Sequence, residues 1–97
     1  MRKSKSDLLE QNRDLVIDNL EILQISLSEL ERIGFRDEDE VTYNQLGSLI
    51  EAADNVSNLD EMDEVLTHAR VIEKQIDFWL NTHNLDSKSL SWPRRPH

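Results

Sequence analysis

Apolar residues repeat in two rows along the N-terminal third of the chain. Leu9, Val16, Leu20, Leu23, Leu27 and Leu30 follow three- and four-residue steps, the spacing of one helical face. Leu8, Leu15, Ile22 and Ile33 form a second row, rotated from the first by about 100° at 3.6 residues per turn. Asn12, Asn19 and Ser26 lie between the rows, and Ile17 and Ile25 point away from both. A helix packed on a single neighbour needs one stripe; two adjoining stripes require two neighbours.

The spacing predicts a first helix from about Asp7, with Ser6 as N-cap, to Ile33. Such a helix has roughly 27 residues and spans about 40 Å. Gly34 follows at the place of a left-handed C-terminal cap, Arg32 lies in the last turn, and Phe35 supplies the apolar contact after the cap. An acidic connector, Asp37-Glu38-Asp39-Glu40, leads to a second helix. Asp37 with Glu40, or Thr42 with Gln45, fits a capping box, so two starts are open. Tyr43, Leu46, Leu49, Ile50, Ala53 and Val56 form its apolar face. Gly47 lies inside it and costs ~1 kcal/mol relative to alanine, so this helix is short and depends on packing.

Asn55 to Asn58 breaks the pattern, and Asn58 with Glu61 reads as the cap of a third helix over about Leu59 to His83. Met62, Val65, Leu66, Ala69, Ile72, Ile76, Trp79 and Leu80 line its main face, with Val71 and Phe78 nearly opposite. Asn84 can end the helix in the left-handed region and Leu85 can supply the contact that follows. The domain layout is a basic extension over 1–6, a helical domain over 7–85 and a tail over 86–97. Two readings of the tail stand side by side. In one, the chain turns back and Trp92 lies on Phe78 or on a second subunit. In the other, a terminus rich in Ser, Pro and Arg stays disordered.

The expected fold is therefore all-α: three helices, long–short–long, in an antiparallel helical bundle with helices 1 and 3 antiparallel. A short second helix leaves part of the second row uncovered, so dimerisation is expected to complete a four-helix-like core. Leu8, Leu15, Ile22, Ile25, Val71, Phe78 and Trp92 are the residues expected to meet a partner.

Composition narrows the function classes. The 97 residues include no cysteine, which removes disulfides, thiolate metal sites and cysteine nucleophiles. No apolar run approaches the ~20 residues of a membrane span, and no apolar segment follows the basic N-terminus, so a cytoplasmic location without membrane contact is expected. The net charge is −9. Residues 7–86 hold all 20 acidic side chains against five basic ones, a net −15, while each end carries three basic groups. Such a body repels a phosphate backbone, so direct nucleic-acid binding is not expected.

Chemistry-bearing patterns are sparse. Glu64 and His68 share a helical face, but carboxylate-bridged di-metal bundles use Glu-x-x-His on facing helices, and here the spacing is longer and occurs once. A solvated i,i+4 pair is the simpler assignment, and neither metal nor other cofactor is expected. Gly34 and Gly47 are the sole glycines, so no glycine-rich phosphate loop exists. The expected function is non-catalytic: a regulatory or adaptor module that binds a protein through its helical apolar faces. The alternative is an acidic mimic of nucleic acid that inhibits a DNA- or RNA-binding protein. A carboxylate–histidine metal bundle is a weaker third reading.

Overall fold

A computed structural model describes residues 5–36 and 41–93, the side chains beginning at Asp7. Three helices follow in order: α1 over Lys5–Arg32, α2 over Val41–Asn55 and α3 over Leu59–Thr82, with no strand among the described residues. The first row of α1 forms the spine of the core. Val16, Leu20, Leu27 and Leu30 are fully inaccessible and Leu23 nearly so. Leu46 and Ala53 of α2, Val56 after it, and Met62, Val65, Leu66, Ala69, Ile76 and Leu80 of α3 close around that spine. Full burial of a leucine side chain contributes about 1.5–3 kcal/mol, so this row is the main reason the three helices stay together.

Two sets of contacts fix the helix directions. Arg13, near the start of α1, donates from Nε to the Ala53 carbonyl at 3.1 Å and from Nη2 to the Val56 carbonyl at 2.6 Å, where α2 ends. Phe35, just past the end of α1, lies 4.8 Å from Trp79 and 5.6 Å from His83 between ring centroids, where α3 ends. Neighbours in sequence thus run antiparallel, and α1 and α3 run parallel. The expected antiparallel pairing of helices 1 and 3 is corrected: two successive reversals return the third helix to the direction of the first. Arg13 also pairs with Glu10 through Nη1. Its guanidinium takes the place of a C-terminal cap for α2, which has no basic residue in its last turn.

The helix ends follow their local signals. Gly34 adopts φ +100°, with the Phe35 amide donating to Leu30 and the Gly34 amide to Glu31. Asn84 adopts φ 61°, with the Leu85 amide donating to Leu80 and the Asn84 amide to Asn81. Both are Schellman ends, and both following residues, Phe35 and Leu85, pack on the core. Asn58 caps α3 by accepting from the Glu61 amide at 2.9 Å, and Glu61 accepts from the Asn58 and Ser57 side chains.

Four expectations about elements change. Ser6 is helical, so it does not cap α1; nothing from Lys5 onward resists helix formation. Thr42 is buried inside α2 and does not cap it, while Asp37 and Glu40 lie outside the described residues. Ile17 packs against the core because α2 reaches round that flank of α1. Tyr43 is 44% exposed, so the apolar face of α2 begins at Leu46.

The two glycines have opposite roles. A Cβ at Gly47 would meet nothing within 4 Å, whereas Gly34 occupies a backbone region that L side chains rarely adopt. Gly47→Ala is expected to raise stability by about 0.5–1 kcal/mol, a gain of several degrees in thermal midpoint. Gly34→Ala is expected to lower it by about 1–2 kcal/mol. Thermal unfolding of both variants checks the pair of signs.

Candidate protein-binding surface

Two grooves flank the bundle core. The first lies between the parallel helices α1 and α3, and the segment after α3 fills it. From Asn84 the chain descends antiparallel to both helices. Lys88 Nζ meets Glu29 at 3.2 Å, Asn19 Nδ2 donates to the Ser91 carbonyl at 2.6 Å, and Trp92 Nε1 donates to Glu73 at 3.0 Å. Leu90 and Trp92 pack against the core, while Ser87, Ser89 and Ser91 are exposed. The alternation over Ser89 to Trp92 is that of an extended backbone, with Leu90 and Trp92 turned inward and Lys88 left exposed.

The tail therefore docks, and onto a different target from Phe78. Phe78 remains 65% exposed, and the indole lies across α3 against Glu73. The reason is helical register: Glu73 sits on the flank of α3 beside α1, and Phe78 sits on the far side. Under the tail, Asn19 and Ser26 are buried, seven residues apart on one face of α1. Ser26 Oγ is fully buried with no hydrogen-bond partner among the described residues. A small side chain there leaves room for the extended segment to lie close.

The second groove lies between the antiparallel helices α2 and α3. It encloses about 580 Å³ and is lined by Val41, Gln45, Ser48, Leu49, His68 and Ile72, among others. Val41 is 50% and Val71 64% exposed at its edge. The floor is aliphatic and the walls carry amide, hydroxyl and imidazole groups. Such a site can accept apolar side chains and hydrogen-bond a backbone. Its lining places no carboxylate beside a nucleophile. Among the described residues no three of His, Asp and Glu converge to hold a metal ion.

The residues expected to meet a partner thus fall into separate places. Leu8, Leu15 and Ile22 lie along the α1 flank that the tail crosses; Leu8 and Ile22 are half-buried and Leu15 is 42% exposed. Ile25 is exposed on the outer side of α1. Val71 borders the α2–α3 groove, Phe78 lies one heptad further along α3, and Trp92 is anchored within the tail. Val41, Leu49 and Ile72 complete the second groove. The step from Val41 to Gln45 to Leu49 marks one edge of α2 and was the signal available for it. No helix among the described residues is long and apolar enough to cross a membrane.

Compared with protein-family models, with curated proteins and with solved structures, the chain shows no match.

Trp92 and Phe78 give a direct contrast. Trp92→Ala is expected to cost about 1–2 kcal/mol and to lower the thermal midpoint by roughly 5–10 °C. Phe78→Ala is expected to stay within about 0.5 kcal/mol of the wild type. Parallel thermal melts read the difference.

Proposed function

We propose that the protein is a non-catalytic regulatory or adaptor module that acts in the cytoplasm and binds another protein through its apolar helical surface. The observation that carries this reading is the α2–α3 groove. It presents Val41 and Val71 to solvent above an aliphatic floor of Leu49 and Ile72, although the core below is complete without them. An apolar edge that the fold does not use is a place for a partner. The body carries 20 acidic side chains against five basic ones over residues 7–86, so the partner of best fit is an amphipathic helix with basic flanks. Self-association is a smaller part of the proposal, because the tail already lies beside α1 from Glu29 to Asn19. Leu15 and Ile25 are the apolar residues left for it on α1.

A second reading, a mimic of nucleic acid, is favoured by one feature. Asp7, Glu10, Asp14, Asp18 and Glu21 are all exposed on the outer face of α1, at steps of three and four residues. That sets a carboxylate about every 5 Å along the helix.

The two readings separate on one experiment. The partner is captured from the native host, purified, and titrated against the wild-type chain and Val71→Asp at low and high salt. The groove reading expects Val71→Asp to weaken binding by about tenfold or more with an unchanged thermal midpoint, and expects binding to persist at high salt. A steep loss with salt and indifference to Val71→Asp would replace it with the acidic-mimic reading.

A further inference from the structure

We propose that the groove between α1 and α3 is a recognition site for an extended segment of the pattern cation-x-Leu-x-Trp, and that the chain's own tail is its resident occupant. A segment of the same chemistry from another protein enters when the tail leaves. The proposal does not rest on the α2–α3 groove, which lies on another side of α3.

The site reads its occupant through separate contacts. Glu29 accepts from the ammonium of Lys88, and Glu73 accepts from the indole N–H of Trp92. Asn19, only 5% exposed, donates its side-chain amide to the backbone carbonyl of Ser91. That last contact is indifferent to side-chain identity, which is how a groove holds a peptide backbone in register. Between these points Leu90 and Trp92 supply apolar area against the core. From Ser89 to Trp92 the chain alternates, Leu90 and Trp92 turned inward and Ser89 and Ser91 exposed, while Lys88 stays exposed and reaches Glu29 from the rim. A tail that merely collapsed onto the bundle would not need a buried amide aimed at its backbone and a carboxylate for each of its two side-chain donors.

The charge distribution supports the same occupant. The tail over 87–97 carries three basic groups and no acid, and residues 7–86 carry all 20 acids. Attraction brings such a segment to the groove, and the indole and leucine give the residence. A tethered tail acts at an effective concentration on the order of millimolar, so a segment in trans has to compete with it. The intact chain is therefore self-occupied, and whatever loosens the tail opens the site.

The test uses a fluorescent peptide with the sequence of residues 86–97 and the full-length chain. Leu90→Ser with Trp92→Ser disables the resident tail and leaves the groove intact. Anisotropy is expected to show saturable binding to this double variant, at least about tenfold tighter than to the wild type. Adding Asn19→Ala or Glu73→Gln to the double variant is expected to weaken that binding, and a scrambled peptide is expected not to bind. Circular dichroism and thermal melting establish that the double variant is folded. If it is not, Trp92→Phe replaces it, because the ring is kept and only the donor to Glu73 is lost; an increase in peptide affinity over the wild type is again expected. Equal binding to wild type and variant, equal binding of the scrambled peptide, or no binding to a folded variant would each overturn the proposal.

Discussion

Helix α1 has to bury an arc of its surface wider than any single neighbour can reach. Its fully buried leucines run down the middle of that arc, Ile17 packs on one flank, and Asn19 and Ser26 are buried on the other. The rest of the architecture answers this requirement. Helix α2, at 15 residues against 28 for α1, covers one flank. Helix α3 covers the centre and, through two reversals, runs parallel to α1. Parallel helices joined this way leave a groove on the side away from α2, and the extended tail lies in it. The tail takes the place that a fourth helix has in a four-helix bundle, beside α1 from Glu29 to Asn19.

The forces that hold the tail are unequal. Lys88 and Glu29 are each 40% exposed at the side chain, and exposed pairs of this kind contribute about 0–1 kcal/mol. The Asn19 and Trp92 hydrogen bonds are partly buried, where losing one partner costs about 1–3 kcal/mol because the other is left unsatisfied. Packing of Leu90 and Trp92 holds the tail in place, and the polar contacts set the register. This division matters for function. Contacts that select register confer specificity, while a modest total energy allows the occupant to be exchanged. The α2–α3 groove is of another kind: it is open, with an aliphatic floor and amide, hydroxyl and imidazole groups at its walls, and nothing among the described residues fills it.

The elements were largely legible in the sequence because their signals are local. Gly34 with Phe35, Asn58 with Glu61, and Asn84 with Leu85 each act within a few residues of a helix end, and each does in the structure what its spacing implies. The first apolar row of α1 was equally legible, since a heptad pattern survives any arrangement of neighbours. What escaped were relations between distant residues. Arg13 carries no sequence signal beyond its charge, yet it closes the end of α2 forty residues away. Ile17 reads as exposed until α2 is placed beside it. Trp92 was recognisable as an aromatic in need of cover, but its cover depended on which flank of α3 faced α1. The direction of α3 followed from the number of reversals, an argument that counts connections and ignores side chains. The outward position of Val71 was visible from helical phase; the groove beside it was not, because it needs Val41 and Leu49 brought alongside from another helix.

The arrangement depends on the tail lying between α1 and α3 with Trp92 inside the groove. The most direct measurement is a nuclear Overhauser spectrum of the full-length chain. The structure predicts cross-peaks from the Trp92 indole N–H to side-chain protons of Glu73 and its neighbours on α3, and from the Asn19 side-chain amide to the α-protons of Ser91 and Trp92. An indole resonance at its denatured position, with cross-peaks confined to adjacent residues, would contradict it.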